Sequence, residues 1–434
     1  MLSATTDAMG TSQNATGIYI DIKVFGFFLR AKLRKIFLFP KYFRNFAQKF
    51  FMTLHIFNPE HDIALASGLS NFTAPHAARQ LRHDLGFLPA IWAKEGDVVL
   101  VDDAEQAARS WRKLAHRANL LLGFESSTGW SFGFTRGKQE APPGGASGLL
   151  PWGWNSALCA LLVRRGVDRS LLPDAQQLQT IRDLSHRRVA AALLPKLRME
   201  GTVGESFECQ TPEQVESLLA QYGQLVMKAP WSSRGRGLRF VSPANNVQNS
   251  TYLAGWFRNV VKLQGCVMVE PLYNKVKDFG MEFYSDGEGH VSYLGLSLFH
   301  TENGAYTGNV LATESVKQQM ISRYISTELL ENVRAKICQE LGETYRGKYR
   351  GPFGIDMMAV NHGQCSMFNV QCSTVNVQCS MFNGQCLLHP CVEINLRRTM
   401  GHVALALSPK DDDLRRVMRI EYSKNNYQLI INRL

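Results

Sequence analysis

The sequence lacks several patterns that would place it in a familiar class of protein. It has no uninterrupted apolar run of the roughly 20 residues that a membrane-spanning helix requires. It has no GxxxxGK[ST] string, so the Walker type of phosphate-binding loop is excluded. Its Lys and Arg residues are scattered, and no nucleic-acid-binding module is recognisable. The composition, 45% hydrophobic and 20% charged, is typical of a soluble globular protein.

Nine cysteines are present, but their spacing matches neither a disulfide framework nor a zinc site. Four of them recur every seven residues within 361–386: Cys365, Cys372, Cys379 and Cys386. No CxxC pair and no histidine cluster completes a tetrahedral metal site. We interpret the segment as a low-complexity insert in a loop, with metal binding by its cysteines as the alternative. Reduced thiols in a cytoplasmic protein are expected.

The length of 434 residues predicts two or three domains. Residues 1–51 contain eight Lys or Arg and two Asp, together with many Phe, and carry +6 of the net charge of +11. We expect this segment to lie outside the fold, which would begin near Met52. The alternative is a basic amphipathic anchor on a membrane surface.

Residues 52–180 alternate between short apolar strands and helical stretches, which predicts a βαβ-type domain. Glu60, His61 and Asp62 follow the first strand, at the position where α/β folds place ligands. They predict either a substrate contact or a helix cap within a turn.

The stretch Leu225–Val241 predicts a phosphate-binding loop between two strands. The first strand delivers Lys228. The loop that follows consists of small residues and arginines: Ser232, Ser233, Arg234, Gly235, Arg236 and Gly237. Glycines let backbone N–H groups approach a polyanion, and Lys and Arg supply positive charge. The alternative is a polar hairpin loop whose arginines are solvated.

Two later strands predict a metal site. Side chains at i and i+2 of a strand share a face, so Glu393 and Asn395 point the same way, and Asp356 on a neighbouring strand can join them. Two carboxylates and an amide oxygen suit Mg²⁺ that also holds nucleotide phosphates. An acidic side chain within an apolar strand is costly unless it is paired or metal-bound. The alternative is a pair of strands whose acidic residues face solvent.

Together these residues resemble the ATP-grasp superfamily of ATP-dependent carboxylate–amine ligases, over roughly residues 184–407. The resemblance implies a fold of α/β and α+β type in which two subdomains hold ATP, here after the βαβ-type domain. It implies that Lys228 and the 232–237 loop contact phosphate. It also implies that Asp356, Glu393 and Asn395 bind Mg²⁺, with Mn²⁺ as an alternative. The string Glu393–Arg397 departs from the family's E-I-N-P-R only at Leu396, where proline is usual.

Other residues take roles only through this resemblance. Glu270 and Leu272 lie in a string, VEPL, that is similar to the family's adenine-contacting hinge. Arg187 stands where the family usually carries a phosphate-contacting lysine, and the alternative is a solvated helix face. Arg397 would stabilise an acyl-phosphate. Glu282 is a secondary candidate for a residue of the same site.

The domain order can be predicted from these assignments. It comprises a basic extension (1–51), a βαβ-type domain (52–180), a small ATP-covering subdomain (181–265), a metal-bearing subdomain with the insert 361–386 (266–410) and a charged tail (411–434). The polar loop 300–309 is interpreted as an ordinary connection, with a substrate contact as the alternative.

The predicted function is an ATP- and Mg²⁺-dependent ligase that activates a carboxylate as an acyl-phosphate for attack by an amine or similar nucleophile. Its partners would be those small-molecule substrates, with no nucleic acid and no transmembrane segment. The residues name neither substrate and predict no oligomeric state. Two alternatives remain: a nucleotide-binding protein without ligase activity, and a membrane-surface protein that uses residues 1–51.

Overall fold

The computed structural model describes residues 52–125, 130–134, 146–232, 237–302, 305–361 and 386–434. The predictions for residues 1–51 and for most of the 361–386 repeat therefore lie outside the described residues. In the described ranges, no helix is both long and apolar enough to cross a membrane.

The described chain contains both strands and helices. The strands are β1 (Met52–Ile56), β2 (Val98–Val101), β3 (Ser131–Phe134), β4 (Ala146–Pro151), β5 (Phe207–Cys209), β6 (Leu225–Lys228), β7 (Leu238–Val241), β8 (Val267–Pro271), β9 (Lys275–Ser285), β10 (Val291–Ser297), β11 (Phe299–Glu302), β12 (Ala305–Leu311), β13 (Gly351–Asn361), β14 (Cys386–Asn395), β15 (Arg416–Ser423) and β16 (Asn426–Arg433). The helices are α1 (His61–Ser67), α2 (His76–Leu85), α3 (Ala104–Leu122), α4 (Ser156–Arg164), α5 (Ala175–Leu184), α6 (Arg188–Leu193), α7 (Pro212–Tyr222), α8 (Thr251–Gln264), α9 (Glu314–Ile321), α10 (Thr327–Tyr345) and α11 (Met400–Leu407). Short 3-10 helices cover Leu88–Ile91, Arg169–Leu171 and Leu194–Leu197.

The first sheet is parallel, with the strand order β3–β2–β1–β4. Parallel neighbours need crossover connections, and α1 to α3 provide those between β1, β2 and β3. Asp103 starts α3 by accepting the N–H of Gln106, and Gly123 ends it with a φ of 63°, which favours glycine. The predicted βαβ-type first domain is confirmed.

The small sheet is antiparallel, in the order β5–β8–β6–β7. Helices α7 and α8 cover one face of it, and their Val215 and Phe257 pack in one core with Met227 and Val269 of the sheet. Thr211 and Gln214 form the predicted capping box at the start of α7. This sheet carries Lys228 at the end of β6.

The central sheet is antiparallel, in the order β10–β9–β13–β14. Alternate residues of its strands face opposite ways. Phe283, Phe353 and Ile355 face the core, where they pack with Ile337 and Leu341 of α10. The residues between them face the other side, which is the side that carries the polar groups described below.

The fourth sheet corrects the expectation of a charged tail after residue 410. Strands β15 and β16 form a hairpin that completes a sheet in the order β11–β12–β15–β16. Met418 and Ile431 are fully buried and pack with Leu85 of the first domain. Asp84 accepts the backbone N–H of Tyr427 at 2.8 Å. The acidic residues 411–413 concealed this hairpin, because the apolar alternation begins only after them.

The predicted subdomain boundaries also differ from the structure. Ala190 and Leu193 of α6 pack in the core of the central sheet rather than with the small sheet. Conversely, β8 belongs to the small sheet although it lies beyond residue 265. Apolar spacing locates a helix but does not say which of two sheets the helix will cover.

We predict that the Ile431→Ala substitution lowers the free energy of unfolding by about 2–5 kcal/mol, because it leaves a cavity in a buried core. Denaturant unfolding would measure this. Leu434→Ala is the matched control, since Leu434 is 56% exposed, and its effect should stay within about 0.5 kcal/mol. Equal effects of the two variants would contradict the docked hairpin.

Candidate active site

A cleft of about 420 Å³ lies where the four described sheets meet. Its walls include Asp62 of the first domain, Lys228 of the small sheet, Asp356 of the central sheet and Tyr427 of the fourth sheet. Chain segments more than 300 residues apart therefore contribute to one site.

One face of the central sheet gathers acidic side chains in the cleft. Asp356 on β13 is paired directly with Glu393 on β14, and Gly354 is paired with Asn395. On the other side of β13, Gly354 is paired with Glu282 of β9. Since alternate residues share a face, Glu282, Asp356, Glu393 and Asn395 all point into the cleft.

Glycines make room for these carboxylates. A Cβ atom at Gly354 would lie 2.5 Å from Glu282 Oε2, and one at Gly401 would lie 1.8 Å from Glu282 Oε1. Both distances are shorter than real Cβ contacts, so any larger residue at either position would displace the Glu282 carboxylate.

The electrostatics around Asp356 suit a cation. Burial, together with the charges of Glu393 and Glu282, raises the pKa of Asp356 to about 8. Asn395 Nδ2 donates a hydrogen bond to Asp356 Oδ2 at 3.1 Å, but no Lys or Arg of the described chain forms an ion pair with it. The described residues contain no cluster of three or more His, Cys, Asp or Glu that could hold a metal. The predicted ligands, Asp356, Glu393 and Asn395, include only two carboxylates. All three nevertheless offer the oxygen donors that Mg²⁺ prefers.

Lys228 reaches the cleft from the small sheet. It is 5% exposed, and its Nζ lies 2.5 Å from Glu270 Oε2 on the neighbouring strand β8. Glu270 thus contacts the lysine, and neither Glu270 nor Leu272 of the predicted hinge lines the cleft. A lysine Nζ has three N–H groups, so those not directed at Glu270 can meet a ligand.

Arg187 is buried rather than solvated, which removes the alternative of an exposed helix face. Its Nη2 lies 2.9 Å from Glu393 Oε1, and its Nε donates to the backbone oxygen of Ala229 at 3.1 Å. This guanidinium joins the end of the lysine strand to the acidic face.

Only the two ends of the predicted phosphate loop are described. Ser232 lines the cleft, and Gly237 O accepts the N–H of Ala229 at 2.9 Å. A Cβ atom at Gly237 would lie 2.3 Å from Ser232, so the two ends pack closely. Ser233, Arg234, Gly235 and Arg236 lie outside the described residues.

Arg397 is held by the first domain. Its Nε and Nη2 donate to the two oxygens of Asp62 at 2.8 and 2.7 Å, Nη2 also donates to Asn395 Oδ1 at 2.8 Å, and Nη1 donates to Arg398 O at 3.1 Å. Four of the five N–H groups of a guanidinium are thereby used. Burial raises the pKa of Asp62, but the charge and hydrogen bonds of Arg397, with the nearby His61 and Arg187, together outweigh it, so the pKa lies below its ordinary value.

The other two residues of the polar cluster after β1 do not line the cleft. Glu60 forms an ion pair with Arg82 at 2.7 Å. His61 packs so closely on Gly153 that a Cβ there would lie 2.7 Å from the ring. Of the three candidates, Asp62 alone lines the cleft.

Sequence reasoning missed a group of uncharged polar residues that line the cleft. Ser297, Thr301, Tyr306 and Asn309 line it, so the segment 300–309, interpreted as an ordinary connection, contributes three side chains of β11 and β12 to the cleft. Tyr306 OH donates to Asn309 Oδ1 at 2.6 Å, and Asn309 Nδ2 donates to Ser297 Oγ at 2.9 Å. The available signal was Asn309 itself, a polar residue that directly precedes the apolar run Val310–Ala312.

No protein-family model matches the chain, and no curated protein matches it. Solved structures do match. An N5-carboxyaminoimidazole synthetase from Staphylococcus aureus complexed with ADP is 12% identical, with a TM-score of 0.41 over 86% of this chain and 83% of that one. A biotin carboxylase complex with β,γ-ATP from Campylobacter jejuni is 11% identical, with a TM-score of 0.45 over 88% of this chain and 78% of that one. At these values the likeness supports neither a substrate nor a reaction for this chain.

We predict that Asp62→Asn lowers the free energy of unfolding by about 1–3 kcal/mol, because Arg397 loses its charged partner in a mostly buried setting. Denaturant titration of both proteins would measure it. Asp183→Asn is the control, since Asp183 is exposed and its side chain accepts a hydrogen bond from the neutral side chain of Gln179. A loss no larger than that of the control would count against the Asp62–Arg397 contact.

His389 of β14 is fully buried, and neither ring nitrogen has a hydrogen-bond partner within the described chain. Burial lowers the pKa of His389 from 6.5 to about 3. The unfolded chain therefore binds a proton that the folded chain does not, and stability falls as the pH drops from 6.5 towards 3.

We predict that His389→Leu reduces this loss of stability while leaving stability at pH 7 equal or higher. The leucine fills an apolar site and removes one proton that the unfolded state would take up. Unfolding free energies measured at pH 7, 5.5 and 4.5 test this, and an unchanged slope between these values would refute it.

Proposed function

We propose that the chain binds Mg-ATP in the cleft and uses it to activate a carboxylate for attack by an amine. One observation carries the proposal. Lys228 comes from the small sheet and Arg187 from the start of α6. Both line one cleft together with the oxygen donors Asp356, Glu393 and Asn395. This combination of fixed cations and carboxylates suits a triphosphate with its divalent cation.

Lys228 and Arg187 would bind the phosphates. Both are mostly buried, so their charges act in a medium of low dielectric where they attract an anion strongly. Each is already held by a carboxylate, Glu270 or Glu393, which fixes its position before the ligand arrives. Ser232 and the loop that follows it would cover the phosphates and exclude water.

Asp356, Glu393 and Asn395 would hold Mg²⁺. The bound ion would neutralise phosphate charge during transfer. The raised pKa of Asp356 fits this role, because burial and the charges of Glu393 and Glu282 raise it by more than the nearby Arg397 charge lowers it.

The reaction would run in two steps. A carboxylate oxygen of the first substrate attacks the γ-phosphorus as the bond to ADP breaks, giving an acyl-phosphate. The amine nitrogen then attacks the carbonyl carbon, the bond to phosphate breaks, and phosphate and protons leave. Arg397 retains one N–H, on Nη1, that could donate to the acyl-phosphate, because its other four N–H groups have partners.

We predict that Lys228→Met and Glu393→Gln each weaken Mg-ATP binding at least about tenfold, since each removes a charge that would face the phosphates or the metal. Calorimetric titration with Mg-ATP would measure this. The control is Lys262→Met, which removes an exposed lysine from α8 and should bind as the parent does. Parent-like binding by both site variants would overturn the proposal.

A second measurement separates a ligase from a nucleotide-binding protein without turnover. ADP release is followed with Mg-ATP alone, with a pool of small carboxylic acids, and with that pool plus amines. A ligase requires the acid for release, whereas a binding protein releases no ADP under any of these conditions.

A further inference from the structure

Glu282 is a buried carboxylate that the two proposed steps do not use. It is 4% exposed, lies in the interior of the central sheet, and lines the cleft. Its strand neighbours on both sides, Gly354 and Gly295, are glycines. The sheet therefore encloses the carboxylate on both sides without placing a side chain over it.

The Glu282 carboxylate lacks a positive partner among Lys and Arg of the described chain. Within the described chain, its Oε2 accepts no hydrogen bond. His402 Nδ1 lies 2.9 Å away, but this nitrogen accepts the backbone N–H of Thr399 at 3.1 Å, and a ring nitrogen that accepts a hydrogen bond carries no proton to donate to the carboxylate. A buried carboxylate without a charged partner is unfavourable by itself, and a cation bound beside it would offset that cost.

The neighbouring cleft wall offers further hydrogen-bond acceptors. The chain of bonds from Tyr306 to Asn309 to Ser297 leaves lone pairs on the Asn309 amide oxygen and the Ser297 hydroxyl. Both Ser297 and Asn309 are almost fully buried, so their positions are fixed by packing. One carboxylate, one amide oxygen and one hydroxyl thus border the same part of the cleft.

We infer that Glu282 anchors the amine substrate as its ammonium and accepts the proton that the nitrogen must lose before it attacks, which rests on the proposed function for the identity of that substrate as an amine. An ammonium has three N–H donors and a positive charge, so it satisfies the carboxylate and the adjacent acceptors together. An anion would be repelled by Glu282, and a neutral group would leave its charge unpaired.

The position of Glu282 also suits this role. Its cross-strand neighbour Gly354 is two residues from Asp356, so the two acidic positions are diagonal neighbours on one face, with Cα atoms about 7–8 Å apart. An amine held by Glu282 would therefore lie beside the proposed metal and phosphate site. Gly401, at the start of α11, also leaves room for the carboxylate.

Direct binding of simple amines tests the inference without the unknown carboxylate. The probes are ethanolamine, L-alaninamide and 1,4-diaminobutane, with ethylene glycol as the uncharged counterpart of ethanolamine. Calorimetric titrations use the full chain saturated with Mg-ATP. We expect at least one amine to bind, ethylene glycol not to bind, and Glu282→Gln to weaken amine binding at least about tenfold while Mg-ATP still binds.

Two variants keep the experiment interpretable. Glu421→Gln removes an exposed acidic residue from β15 and should bind amines as the parent does. Glu282→Asp keeps the charge but withdraws it by one methylene, so intermediate affinity is expected even if Glu282→Gln fails to fold.

Three outcomes would overturn the inference: no amine binds the parent, Glu282→Gln binds amines as the parent does, or Glu282→Gln loses Mg-ATP binding as fully as Glu393→Gln. The last outcome would make Glu282 a metal ligand. A failure of the proposed function gives a different result: the parent protein does not bind Mg-ATP, or it releases no ADP.

Discussion

The chemistry of the cleft depends on the negative charge that is concentrated on one face of the central sheet. Glu282, Asp356 and Glu393 share that face within three adjacent strands, and like charges in a poorly hydrated cleft repel one another. Burial raises the pKa of Asp356, and the charges of Glu393 and Glu282 raise it further. The fold sustains the arrangement because the opposite face of the same sheet is a large apolar core, packed on α10, that holds the strands in register.

The rest of the cleft compensates for that charge from distant parts of the chain. Arg187 reaches Glu393 from the start of α6, and Arg397 is directed by Asp62 of the first domain, 335 residues away. The C-terminal hairpin then closes the cleft on the side of Tyr427. The first domain and the hairpin are therefore parts of the site as well as of the scaffold.

The sequence predicted what local spacing can determine. The i, i+2 relation placed Glu393 and Asn395 on one face, the apolar strand before Lys228 located that residue, and strand and helix alternation gave the parallel first sheet. It could not determine contacts that depend on how sheets meet. The Asp62–Arg397 pair, the packing of α6 on the central sheet and the docking of β16 are all non-local, and no periodicity encodes them. The sequence indicated Glu282 only as a secondary candidate. Gly354 and Gly401, which leave room for its carboxylate, come from other parts of the chain.

The pairing of the cleft's basic groups with its own carboxylates has a consequence for the proposed function. Arg187 and Glu393 neutralise each other in the structure, so neither is free for a ligand of opposite charge. A phosphate that binds Arg187 weakens the ion pair between Arg187 and Glu393. A cation that binds Glu393 weakens the same ion pair. Each ligand thus lowers the cost of binding the other, and by thermodynamic linkage the coupling is equal in both directions. Nucleotide and metal would then bind as a unit, which is how Mg-ATP is presented in solution.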